Sequence, residues 1–266
     1  MTKKQLTEAI QACVNNGDKA FVPYIMAGDG GIETLKKTIL YLQGIGVTAI
    51  ELGIPFSDPV ADGPVIQEAG ERALSHGVTL RKVIQEIGLF KEEVTVPLVF
   101  MTYLNPIIRY GIDKFVEDCA ENGVSGIIVP DMPYEESALL HAALKKFDIA
   151  LIPLVTLTSP LERIEKITSA GEGFIYAVTV NGITGVRDGF GEALDLHLKK
   201  LKEVSPVPVL AGFGISTPEQ VEAMGSIVDG VIVGSAIVQA LHNQDFETVK
   251  KLVDASKSSV QVSLNR

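Results

Sequence analysis

The chain has 266 residues, 46% of them hydrophobic, and a formal net charge of −10. That is enough apolar content for a sizeable core, since chains near this length bury roughly 75% of their unfolded surface. An acidic chain without a Lys/Arg stripe lacks the footprint of a nucleic-acid binder, and 25 glycines with 13 prolines exclude collagen-like and low-complexity classes.

The chain opens on MTKKQLTEAIQACVNNGDK, which has no apolar core of signal-peptide length. Leu6, Ile10, Cys13 and Val14 fall at helical spacing, predicting an extra N-terminal helix that plugs the bottom of whatever follows. Continuously apolar runs then recur at 21–26, 47–52, 97–103, 126–130, 149–155, 173–179, 208–214 and 230–234. Runs without alternation read as strands buried on both faces. Their starts lie from 22 residues apart (208 to 230) to 50 apart (47 to 97), room for a crossover helix between parallel neighbours.

The long gap after the second strand predicts two helices, near 64–75 and 79–92. Asp113-Lys114-Phe115-Val116 opens a later one, Ser159-Pro160-Leu161-Glu162 places a hydroxyl cap before another, and Ser216-Thr217-Pro218-Glu219 repeats that signal. Eight such units predict one α/β domain over residues 1–266, a (β/α)8 TIM barrel with extra helices in the loops. A doubly wound open sheet is the alternative, but no G-x-G-x-x-G follows the first strand. No apolar run reaches the ~18 residues of a membrane span. Cys13 and Cys119 form no CxxC pattern, and His76, His141, His197 and His242 are never four apart, so no metal site is expected. The reading is a soluble, cytoplasmic protein.

Barrels carry their chemistry at the C-terminal ends of the strands. There the second strand delivers Glu51 inside an apolar run, where burial raises a carboxyl pKa into the range of proton transfer. A structural ion pair is the other reading. The following loop holds Asp58 and Asp62, together either an acid/base pair or, respectively, an Asx-turn acceptor and a helix cap. Gly212-Phe213-Gly214-Ile215-Ser216, Gly234-Ser235-Ala236-Ile237 and Asn181-Gly182-Ile183-Thr184-Gly185 put glycines in three loops of the same face, predicting a phosphate site built on backbone N–H groups. The stretch 179–191, through Arg187, reads as a lid or as a plain connector.

The segment ELGIPFSDPVADGPVIQ, from Glu51 to Gln67, closely resembles the signature of the tryptophan synthase alpha family. FVPYIMAGD, YLNPI, VPDMP, NGITGVR, AGFGIS and VGSAIV extend the resemblance in order along the chain. The resemblance implies retro-aldol cleavage of indole-3-glycerol phosphate to indole and glyceraldehyde 3-phosphate. It implies Glu51 as acid/base and Asp62 as acceptor of the indole N–H. It also implies Tyr176 beside Glu51, and Tyr24, Met101, Val129 and Phe213 around the indole. Gly185, Gly214, Gly234 and Ser235 would hold the phosphate, and Thr184 would meet Asp62 on lid closure. Pro55 and Asp58 would face a beta subunit in an alpha-beta-beta-alpha heterotetramer. That partner, not this chain, would carry pyridoxal phosphate. Gly30 and Val180 depart from the family's Pro and Arg, which leaves lid behaviour open. Indole-glycerol-phosphate synthase and phosphoribosylanthranilate isomerase share the phosphate end, but the synthase relies on a lysine and none of the predicted strands carries one. A non-catalytic activating subunit and a free-standing indole-releasing lyase are the remaining readings.

Overall fold

The computed structural model describes residues 2–156, 159–179, 192–212 and 214–258. Helix α1 (Lys3–Asn15) is opened by a capping box in which Thr2 and Gln5 satisfy each other's backbone N–H groups. Its Leu6 and Ile10 are fully buried. A Cβ at Gly126 or Gly173 would come within 3.2 or 2.9 Å of a Leu6 methyl, so two glycines make the socket that lets α1 plug the floor.

The strands are β1 (Ala20–Met26), β2 (Ile50–Gly53), β3 (Leu98–Met101), β4 (Val124–Ile128), β5 (Ala150–Leu151), β6 (Leu154–Thr156), β7 (Ile175–Val178), β8 (Val209–Gly212) and β9 (Gly230–Val233). All pairings are parallel, in the order β5-β4-β3-β2-β1-β9-β8-β7-β6. The two ends of that order adjoin in sequence. β5 and β6 are the halves of one barrel strand, parted at Ile152-Pro153, where proline has no N–H for the ladder. The halves still close the ring: Ile152 N–H donates to the Ile127 carbonyl at 2.9 Å, and the Pro153 carbonyl accepts from Tyr176 N–H at 3.0 Å. The result is a (β/α)8 barrel.

The helices around it are α2 (Leu35–Gly44), α3 (Pro64–Ser75), α4 (Leu80–Phe90), α5 (Leu104–Tyr110), α6 (Ile112–Glu121), α7 (Ala138–Phe147), α8 (Leu161–Ser169), α9 (Glu192–Val204), α10 (Pro218–Gly225), α11 (Ser235–His242) and α12 (Phe246–Asp254). α3 and α4 fill the long gap after β2, as the sequence predicts. Thr217 caps α10 together with Gln220. At α8 the hydroxyl cap does not form: Pro160 occupies the cap position without a side-chain bond, and the Ser159 hydroxyl pairs with that of Thr156 at 2.9 Å. Among the described residues no helix is long and apolar enough to cross a membrane.

Candidate active site

Glu51 is the second residue of β2, level with Tyr24 of β1 and Val99 of β3. Its side chain is carried inward by the same pleat that buries the rest of the strand, leaving it 1% exposed. Neither carboxyl oxygen has a hydrogen-bond partner among the described residues, so none of these forms the ion pair with it. Burial foremost, and then the charge of Asp62, push its pKa up to about 8. Loss of water disfavours the charged form.

Asp62 arrives from the loop between β2 and α3. Its own N–H donates to the Pro59 carbonyl at 3.1 Å, and its carbonyl accepts from the Gln67 amide at 2.8 Å. It is not the helix cap, because Gly63 holds that place and makes no side-chain cap bond. Burial foremost raises the Asp62 pKa to about 6, with the neighbouring Tyr103 hydroxyl lowering it in part. Asp58 is exposed and accepts from the Ser57 hydroxyl at 2.6 Å. The turn bond from Val60 N–H goes to the Asp58 backbone carbonyl rather than to its side chain, so the Asx-turn reading does not hold. Pro55 is buried.

Both carboxyls open into a cavity of about 210 Å³ at the C-terminal mouth of the barrel. Tyr24, Met101 and Tyr176 line its inner wall. Both tyrosine hydroxyls stay protonated, since burial first and the two carboxylates next raise their pKa values well above normal. Each ring lies across a glycine: a Cβ at Gly53 would overlap Tyr24, and one at Gly212 would overlap Tyr176. The outer wall is Gly214, Ser216, Gly234 and Ser235. Gly214 has φ +78°, which a side chain rarely tolerates. Gly234 caps α11 without a side-chain bond, so the first N–H groups and the positive end of that helix face the cavity. A helix start of this kind offers N–H groups that an anion can accept.

The structure therefore gathers Glu51, Asp62, Tyr24, Met101, Tyr176, Gly214, Gly234 and Ser235 around one space. Val129 is not among them; it lines a neighbouring cleft of about 380 Å³ with Met132 and Tyr134. Thr184, Gly185 and Phe213, together with the lid stretch beyond Thr179, lie outside the described residues. The site also uses Ile66, Ile215 and Ile232 as apolar lining, positions that read as ordinary core in sequence. Size alone would choose another place: a cleft of about 720 Å³ lies between α2 and α11. Its Asp29 carboxylate is already held by both nitrogens of the Arg72 fork, at 2.7 and 2.8 Å. Among the described residues no three His, Cys, Asp or Glu side chains gather closely enough to hold a metal ion.

A barrel mouth with one carboxyl kept neutral, a second kept charged and a helix start facing them defines an acid–base enzyme for a phosphorylated substrate. The family model for the tryptophan synthase alpha chain matches residues 10–264. The chain is 55% identical over 250 residues to the tryptophan synthase alpha chain of Bacillus cereus, covering 94% of this chain and 97% of that one. It is 54% identical to that of Bacillus mycoides over 252 residues, covering 95% and 98%. Its fold superposes on Mycobacterium tuberculosis tryptophan synthase with a TM-score of 0.87 at 32% identity, covering 96% of this chain and 98% of that one. On subunit alpha from Legionella pneumophila the score is 0.83 at 34% identity, covering 96% and 94%. The chain belongs to the tryptophan synthase alpha chain family.

Proposed function

We propose that this chain performs the alpha reaction of tryptophan synthase, cleaving indole-3-glycerol phosphate into indole and glyceraldehyde 3-phosphate, with Glu51 as the acid/base and Asp62 as the charge stabiliser. The observation that carries this assignment is the division of labour between the two carboxyls: the pKa of Glu51 is raised to about 8 and that of Asp62 only to about 6. Near neutral pH the first holds a proton while the second holds a charge.

The steps follow from that difference. Glu51 gives its proton to indole C3, and the positive charge spreads through the ring to N1. The Asp62 carboxylate accepts the N1–H and meets that charge in a site largely cleared of water, where such an interaction counts for most. The bond between C3 and the glycerol carbon then breaks. Its electron pair returns to the ring and cancels the charge at N1. The hydroxyl on that glycerol carbon loses its proton to the Glu51 carboxylate and becomes the aldehyde. Glu51 ends as it began, so no proton has to enter from solvent. Tyr24, Met101 and Tyr176 pack the indole, while Gly214, Gly234, Ser235 and the start of α11 hold the phosphate. Val129, Thr184, Gly185 and Phe213 stay in the proposal on the strength of the resemblance.

Product indole passes to a tryptophan synthase beta subunit, the chain that holds pyridoxal phosphate, in an alpha-beta-beta-alpha assembly working in the cytoplasm. Asp58, four residues before Asp62, and Pro55 would face that partner. The test is indole release from indole-3-glycerol phosphate by wild type and Glu51→Gln, each with and without beta subunit. The chain contains no Trp, so indole fluorescence reads out cleanly. Slow release that the partner accelerates and the substitution abolishes is expected. Equal, fast release without partner would make this a free-standing lyase, and release by Glu51→Gln at the wild-type rate would remove Glu51 from the chemistry.

A further inference from the structure

Tyr24 is 6% exposed and stands level with Glu51 on the neighbouring strand. Both side chains leave the sheet on the same face, into the cavity at the barrel mouth. The Tyr24 ring does not lie straight across. Its hydroxyl is the atom nearest to where a Cβ on Gly53 would stand, and Gly53 pairs with Met26, two residues nearer the mouth than Tyr24. The ring thus leans along the strands and carries its oxygen one pleat step past the Glu51 backbone. Glycine at 53 is what leaves room for it. Among the described residues nothing hydrogen-bonds to this hydroxyl, and the Glu51 carboxyl beside it has no partner there either. Buried polar groups left so are costly, and a ligand entering the cavity meets both.

We propose that Tyr24 is a further catalytic residue of the cleavage, its phenol O–H donating to the glycerol oxygen beside indole C3 while that oxygen changes from hydroxyl to aldehyde. This rests on the role given to Glu51 above. The oxygen is two bonds from C3, so a substrate whose C3 meets Glu51 brings it to the same level of the cavity. Its proton goes to the Glu51 carboxylate, and the electron pair left behind forms the carbonyl bond as the bond to C3 breaks. Between those events the oxygen carries excess negative charge, and a donor already aimed at it stabilises that charge without having to turn. Tyr24 itself gives up no proton: burial first, and then the charges of Asp62 and Glu51, hold its pKa well above normal. Met101 and the three isoleucines of the lining offer no side-chain donor for this place.

Tyr24→Phe keeps the ring across Gly53 and removes only the hydroxyl. In the assembly with beta subunit, kcat for cleavage is expected to fall about tenfold with KM changed little, less than a donor to a full oxyanion contributes because the charge here is partial. The reverse condensation of indole with glyceraldehyde 3-phosphate should slow by the same factor, since both directions cross one transition state. 3-(Indol-3-yl)propyl phosphate has no oxygen on the carbon next to the ring, and the variant is expected to bind it as tightly as wild type does. The melting temperature is expected not to fall, because the hydroxyl holds none of the described residues. Cleavage at the wild-type rate would remove the hydroxyl from the chemistry and overturn the proposal. Tenfold weaker binding of the propyl phosphate would overturn it too, by making the hydroxyl part of the seat of the ring. Glu51→Gln separates the two readings. If that variant cleaves at the wild-type rate, the role of Glu51 falls first; if it is inactive while Tyr24→Phe is unimpaired, Tyr24 alone is excluded.

Discussion

The two ends of the barrel treat carboxylates in opposite ways. At the floor, Asp229 accepts from the Val209 N–H at 2.9 Å and from the Lys202 ammonium at 2.8 Å. Glu172 takes Lys3 at 2.7 Å and the Leu151 N–H at 3.3 Å. These bonds tie the segments that lead into β7 and β9 to other elements. At the mouth, Glu51 is more deeply buried than either and has no partner among the described residues. Paired charge holds the closed end together, and an unpaired carboxyl is kept at the open end at a cost in stability, because burial without a partner is what makes it hold a proton at neutral pH.

The largest effect should come from Glu51→Gln. Turnover is expected to drop by about 10²- to 10⁴-fold, the usual contribution of a positioned acid/base. Stability should move the other way. The native state holds the Glu51 proton up to about pH 8 whereas an ordinary carboxyl releases it at 4.5. The folded protein therefore loses stability as pH rises between those values, by about 3 kcal/mol at pH 7. Urea titration of wild type and Glu51→Gln at pH 5 and pH 8 measures this: the variant should gain at pH 8 relative to wild type, and a loss at both would mean that Glu51 is structural. With wild type, activity should fall below about pH 6, as Asp62 takes a proton, and above about pH 8, as Glu51 loses one. Either limb missing from a kcat profile would remove that group from the mechanism.

Gly53→Ala comes next. Its methyl would displace the Tyr24 ring from the cavity wall, and turnover is expected to fall by about 10- to 100-fold, as for other sub-ångström misplacements of a binding surface. At the floor, Asp229→Ala leaves the Val209 N–H without its acceptor. It is expected to cost about 2–3 kcal/mol in a denaturant titration, with indole release per folded molecule unchanged; a matching loss of activity would break the division between the two ends. The smallest change, Thr217→Ala, removes the α10 cap for about 1 kcal/mol, again with catalysis intact by the same assay.

The strands were readable because continuous apolar runs survive any detail of packing, and α3, α4 and α1 were readable because their spacing and caps are local properties. What the sequence could not resolve depended on direction. Whether Asp62 caps α3 or faces the cavity turns on Gly63 standing one place closer to the helix, a backbone matter. Tyr103 reads as one more aromatic at a strand end, and only the fold brings the Ala61 N–H to its hydroxyl. Val129 shows the same difficulty just past the end of a strand. β4 slips by one residue against β3, from Leu98 beside Val124 to Val99 beside Gly126, and such a slip changes which face the following residues present. The Ser159 cap gave way to a hydroxyl pair with Thr156, an alternative that short polar side chains always offer.

The break at Ile152-Pro153 also marks where the ring is most easily opened. Ladders elsewhere run over several consecutive pairs, but β4 and β5 share two, Gly126 with Ala150 and Ile127 with Leu151, and the proline has no amide to add. Amide exchange in heavy water should find this seam first. The Ile152 and Tyr176 protons would be released ahead of those of β1, which is flanked by β2 and β9. A barrel is often drawn as a hoop of equal staves, but this one has a clasp.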